Sequence, residues 1–258
     1  MAFKKLKLYF DADLVELLST KIHNVYNNFD NKSFGNNIQS KIKTLELKDR
    51  VEVFADEFHT CLKSNYKEKS SILVSILGPE NETGMFKEYY WIMPIAKYVE
   101  KYGINHFDIS VKAIEEITKR NTGEYAIRPF LESFTDKALQ QMLIWSTNEN
   151  KHVRRLASEG VRPRLPWAKK LQIFVDNPKL ITPILENLKD DSSKYVQNSV
   201  ANCLNDILKD NEDFTKIIIE SWTVKPTVQR KWIIKHAFRN FRKKEDVWAL
   251  KIVDLLEK

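Results

Sequence analysis

The stretch His152–Trp167, read as HVRRLASEGVRPRLPW, holds the side chains best suited to chemistry. Between 151 and 170 there are seven basic residues (Lys151, Arg154, Arg155, Arg162, Arg164, Lys169 and Lys170) and a single acid, Glu159. The helical pattern ends near Glu159, where the negative end of the helix dipole disfavours a carboxylate. Val153, Leu156 and Ala157 are spaced to face a core, so His152, Arg155 and Glu159 share another face. Arg155 and Glu159 form an i, i+4 pair, which on a solvated surface would be worth only about 0.3–0.5 kcal/mol. Gly160 is suited to a sharp helix stop. Pro163 and Pro166 restrict themselves and the residues before them to extended backbone, so Arg162 and Arg164 are expected on a stiff loop. Guanidinium groups held this way suit bidentate contact with phosphate. Trp167 follows, read as the start of the next helix and either a core aromatic or a π face for a cation.

A second unusual piece is Glu124-Tyr125-Ala126-Ile127-Arg128-Pro129-Phe130-Leu131. Glu124 lies at an expected helix start, where it either complements the dipole or serves as a second carboxylate. Tyr125 adds an aromatic ring, and Pro129 makes the helix short or bent. If this helix and the one ending at Glu159 are neighbours in a stack, Glu124, Glu159 and Trp167 line one pocket.

The elements that must position these residues are helical. Leu14, Leu17, Leu18, Ile22 and Val25 step by three and four, with Asp11 or Asp13 as a cap. Residues 31–37 read as turn material. Val51, Phe54, Phe58 and Leu62 share one face of a second helix. Gly78-Pro79 breaks the segment 72–77. Pro94 interrupts an aromatic-rich run containing Tyr89, Tyr90 and Trp91, Gly103 closes it, and Asp108 caps a helix over 109–118. From about residue 122 the helices come in pairs with a recurring kernel, at Ile127, Val153, Val196 and Val228. The last three lie at spacings within the range of two-helix solenoid repeats. No strand bounded by turn pairs stands out. Six glycines in 258 residues also favour helices over a turn-rich sheet protein. The expectation is one all-α, right-handed α-α superhelix (solenoid) of HEAT-like repeats, a single domain over 1–258.

Charge and composition bound the function. A net charge of +7 is compatible with nucleic acid or an anionic surface. The excess is uneven: residues 225–244 carry eight Lys/Arg and no acid, a second positive block after 151–170. Lys231, Lys235 and Arg239, at steps of four, are expected on one helix face there as further phosphate contacts. Two cysteines, Cys61 and Cys203, make neither a disulfide framework nor a metal pattern. The five histidines are scattered, and no glycine-rich phosphate loop occurs. No metal and no cofactor is expected. Asp11 and Asp13 interrupt any N-terminal apolar run, and no window is long and apolar enough to span a bilayer. A monomer in the cytoplasm is expected.

The runs 152–167 and 124–131 resemble the bacterial DNA-alkylation repair glycosylases of the AlkC type, relatives of AlkD. The segment from Tyr89-Tyr90-Trp91 through Phe107-Asp108 is similar to the family's preceding helices, so the likeness extends over nearly the whole chain. It implies a HEAT-like superhelix acting on double-stranded DNA that excises positively charged N-alkylated bases, 3-methyladenine and 3-methylcytosine, without flipping the lesion into a deep pocket. Some members carry a further C-terminal immunoglobulin-like domain; this chain ends at Lys258 within a helical pattern, so none is expected. The implied chemistry agrees with the residues. Cleaving an N-glycosidic bond builds positive charge on the sugar, and a nearby carboxylate stabilises it and orients water. Glu124 and Glu159 are the carboxylate candidates and Trp167 the aromatic one, with Tyr125 and Trp91 as further pocket aromatics. Arg155, Arg162 and Arg164 are the expected phosphate contacts. A non-catalytic HEAT-like nucleic-acid-binding module and a protein-binding scaffold are the alternatives. A mere binder gains nothing from acids among its phosphate contacts.

Overall fold

Side chains written into the sequence start several of the helices. Asp11 accepts the amide hydrogens of Asp13 and Leu14, Asp30 that of Ser33, Asn65 that of Glu68, Asn150 that of His152 and Thr227 that of Arg230. Each such cap contributes about 0.5–2 kcal/mol by satisfying an amide that the helix itself leaves without a partner. The computed structural model describes residues 4–80 and 86–257, and every regular element among them is a helix. Lys258 lies outside the described residues. No described helix is long and apolar enough to cross a membrane. The chain divides into two compact units, Met1–Pro129 and Phe130–Lys258.

In the first unit Ala12–His23 packs on Asn31–Lys41, which packs on Leu47–Cys61, which packs on Met93–Tyr102. Tyr66–Ser75 and Phe107–Thr118 complete the stack. Phe10, Phe34, Phe54 and Phe58 are fully buried between them, and Phe34 lies parallel to Phe58 at 5.5 Å. Burying each such ring contributes roughly 1.5–3 kcal/mol. Pro94 sits in the first turn of Met93–Tyr102, directly after a short 3-10 turn at Tyr90–Ile92, so it separates two pieces instead of bending one helix. Gly103 is the C-cap of that helix, as its position suggests.

Two expectations for this unit need correction. Residues 31–37 are helical, because Asp30 caps the segment and Phe34 and Ile38 bury one face of it. The asparagines that suggested a turn lie among polar residues of that same helix, which tertiary burial stabilises over local preference. Asp108 lies within the first turn of Phe107–Thr118, and His106 occupies the N-cap position.

The second unit repeats a helix pair three times. Thr135–Trp145 pairs with Lys151–Gly160, Thr182–Leu188 with Lys194–Asp210, and Glu212–Trp222 with Val228–Ala237. The second helix of each pair packs on the next, so 151–160, 194–210 and 228–237 form one layer. The kernels at Val153, Val196 and Val228 are the starts of these three helices. Val153 and Val196 are fully buried, but Val228 is exposed at the opening of its helix.

Candidate nucleic-acid interface and carboxylate site

The polar faces of Lys151–Gly160 and Lys194–Asp210 meet around Glu159. Arg162 Nη1 donates to Glu159 Oε1 at 2.7 Å, and Arg155 Nη2 lies 3.3 Å from the same oxygen. Ser199 Oγ, on the neighbouring helix, donates to Glu159 Oε2 at 2.6 Å and accepts from Ser158 Oγ at 2.7 Å. Arg162 Nε donates to Asp206 Oδ2 at 2.8 Å, so one guanidinium ties two carboxylates on two helices. Glu159 is 6% exposed and Arg162 8%. Burial works against the charge of Glu159, but Arg155, Arg162 and the Ser199 hydroxyl outweigh it and hold its carboxyl below the usual 4.5. Glu159 is therefore a fixed anion at neutral pH. The sequence suggested a surface pair or an acid awaiting a cation; the structure supplies the cations from within.

The loop 161–171 follows. Val161, Leu165 and Leu171 anchor it in the core, and Leu171 N donates to Pro163 O at 3.1 Å. Between these anchors Trp167 has a left-handed backbone, φ +61°, and its side chain is 81% exposed. A non-glycine residue in that region costs roughly 1–2 kcal/mol, so the surrounding loop must impose it. Trp167→Gly should leave the unfolding free energy unchanged or raise it by about 1 kcal/mol, since glycine removes the strain. A urea melt showing a loss above that size would mean the indole supports the fold.

In the first unit Glu124 lies in the turn 124–127, just before the helix Arg128–Ser133, and is 7% exposed. Gly123 lets this turn approach the helix Phe107–Thr118 closely. A Cβ at Gly123 would stand 2.5 Å from Thr118 Oγ1 and 3.0 Å from Ile114 Cγ2. Gly123→Ala should therefore destabilise the protein by about 1–3 kcal/mol through overpacking. A thermal melt matching the wild type would refute that reading of the turn.

The comparisons with known proteins agree with one another. The model of the DNA alkylation repair enzyme family matches residues 38–241. A protein of Bacillus subtilis (strain 168), described as uncharacterized protein YhaZ, is 37% identical over 247 residues, spanning 95% of this chain and 67% of that protein. This chain belongs to the DNA alkylation repair enzyme family. Among solved structures, Pseudomonas fluorescens alkylpurine DNA glycosylase AlkC, bound to DNA containing an abasic site analog, is similar at 33% identity and a TM-score of 0.89. The match covers 97% of this chain and 68% of that one. The fold is thus the all-helical repeat fold of AlkC.

In this alkylation repair protein the expected site residues fall into distinct settings. Arg155, Glu159 and Arg162 come together, but Arg162 turns inward and is not presented on the loop. Arg164 does lie on the loop, and its guanidinium is bidentate to Asp210 at 2.5 and 2.6 Å. Trp167 stands in the loop and not at a helix start; the next helix is Gln172–Asp176. Gly160 lies inside Lys151–Gly160, whose cap is Val161 at φ −85°, so no left-handed glycine ends it. Lys231, Lys235 and Arg239 do not share one helix: Val228–Ala237 ends first, and Arg239 opens Arg239–Lys243. Lys235 meets Glu257 at 3.0 Å, and Arg239 donates to Asn202 Oδ1 at 3.1 Å. In the first unit Tyr125 is half-buried beside Glu124. Trp91 is a core aromatic, its N–H donating to Glu88 O at 3.1 Å and Lys21 covering its ring at 4.5 Å. Reading the sequence missed Ser199, Asp206 and Asp210. The two acids, four apart beside Leu204, Ile207 and Leu208, were the available signal, since acids amid an apolar kernel need buried cations.

Proposed function

We propose that the protein is a DNA glycosylase that removes cationic N-alkylated bases, such as 3-methyladenine and 3-methylcytosine, from duplex DNA. The observation that carries this reading is a carboxylate, Glu159, held ionised within a basic framework on the helix that leads into an outward-held Trp167. Water attacks C1′ of the damaged nucleotide. The bond from C1′ to the base nitrogen breaks, and its electron pair neutralises the charge already on the base. The leaving group therefore needs no protonation, and no general acid is required. The water proton passes to a carboxylate, Glu124 or Glu159, or onward to solvent. The same negative charge stabilises the cationic sugar in the transition state. The exposed indole attracts the cationic base by about 0.5–2 kcal/mol, which suits a lesion read without a deep pocket. Incubation with methylated DNA and chromatography of the freed bases tests the proposal; no methylated base in the supernatant rejects it.

A second reading has an observation of its own. Both Glu159 oxygens already accept hydrogen bonds, as expected of a structural anchor in a non-catalytic DNA-binding module. That reading requires salt-sensitive binding with no base release.

A further inference from the structure

Several basic side chains of the second unit are matched by carboxylates. Arg154 pairs with Asp191, Arg162 with Glu159 and Asp206, Arg164 with Asp210, Lys169 with Glu132, Arg230 with Asp190 and Lys235 with Glu257. Lys194 differs. Its ammonium lies 2.7 Å from the centroid of the Trp232 ring, and it donates to Gln197 Oε1 at 3.4 Å. No carboxylate among the described residues reaches it within 4.0 Å. The imidazole of His236 stacks on Trp232 at 4.7 Å and 14°. Next along the first turn of the same long helix, the Tyr195 ring carries Arg155 over its face at 5.1 Å and His152 against it at 5.5 Å. One edge of the three-helix layer thus presents cations set against aromatic rings: Arg155 on Tyr195 and Lys194 on Trp232.

We infer that this edge, with Lys194 on Trp232 at its centre, is a contact for the phosphodiester backbone of duplex DNA. The inference rests on the reading of the chain as a DNA-acting protein. An exposed cation–π contact is worth only about 0.5–1 kcal/mol, so an ammonium can leave the indole for a phosphate oxygen at little cost. A salt-bridged lysine would have to give up a carboxylate first. The indole holds the ammonium in place beforehand, which reduces the ordering cost of binding. His236, facing Arg239 from its own chain segment and Lys194 from the adjoining helix, adds no negative charge to oppose a phosphate. Trp232 already carries an ammonium and an imidazole, so the cation and not the ring meets the nucleic acid.

Titration of the full chain with a short undamaged duplex at several salt concentrations tests this. Lys194→Ala should weaken binding roughly five- to tenfold at low salt and reduce the salt slope by about 1. Lys194→Arg should restore most of both. The change in tryptophan fluorescence on adding DNA should shrink in Trp232→Phe. Lys194 is exposed, so an unchanged melting curve separates lost contact from lost fold. Wild-type affinity and slope in Lys194→Ala would overturn the inference. Base release from methylated DNA is read alongside. A wild type that releases no base while Lys194→Ala binds weakly leaves the contact standing and removes the glycosylase reading. A wild type that releases base while Lys194→Ala binds as wild type removes the contact alone.

Discussion

Replacing Glu159 by alanine should lower the unfolding free energy by about 3–5 kcal/mol, because it leaves buried positive charge without its counter-charge. Arg162 would keep Asp206, but the Arg155 and Arg162 guanidiniums would then face each other with no carboxylate between them. Ser199 would lose its near acceptor and keep only the longer bond to Arg155 O at 3.5 Å. Urea unfolding measures the effect; a loss below about 1 kcal/mol, the range of a surface pair, would show that the network does not hold the repeats together. Acid should act in the same direction. The folded-state pKa of Glu159 lies below its ordinary 4.5, so its stabilisation is complete above that value and is lost as pH falls through the folded pKa. Glu159→Gln should flatten that part of the pH–stability curve.

The second large effect concerns chemistry. Glu124→Gln should reduce base release by about 10²–10⁴-fold if Glu124 orients or deprotonates the attacking water. The amide keeps the size of the side chain in its turn, but it exchanges one acceptor oxygen for an NH2 donor and carries no charge. Single-turnover release from methylated DNA should fall, and a melting curve taken alongside separates lost chemistry from lost fold. Measuring Glu159→Gln in parallel assigns the roles. If release collapses only in Glu124→Gln, Glu159 is an anchor that positions the loop carrying Trp167. If it collapses only in Glu159→Gln, the buried anion itself faces the sugar. Undiminished release in both would remove the carboxylates from the mechanism.

The arrangement of Glu159 also bears on how the protein distributes its strain. The carboxylate fixes the end of the helix Lys151–Gly160, and two prolines and three buried apolar residues fix the loop beyond it. The left-handed backbone of Trp167 is sustained by that rigid frame. That strain is the feature on which the proposed role of Trp167 as a contact for the cationic base rests.

Much of this architecture is determined by the sequence alone. Spacings of three and four, capping aspartates and asparagines, and paired helical kernels require helices and no sheet, since each rule acts within a few residues. The runs 124–131 and 152–167 carry the family likeness for the same reason: they are contiguous. The prolines around Trp167 also announce a rigid loop. Local rules failed at 31–37, where burial of Phe34 and Ile38 overrides the turn preference of asparagine and glycine.

What only the tertiary structure decides is where the charge goes. Counted along the chain, 151–170 is a block of seven bases with one acid. In space, Arg154 meets Asp191, Arg162 meets Asp206 and Arg164 meets Asp210, partners 37, 44 and 46 residues away. Coulomb energy depends on distance and on burial, not on position in the chain, so packing one helix on the next turns a sequence anomaly into an internal network. The same packing sets Lys194 on Trp232, 38 residues apart by their numbers, and leaves that cation with an aromatic ring in place of an acid.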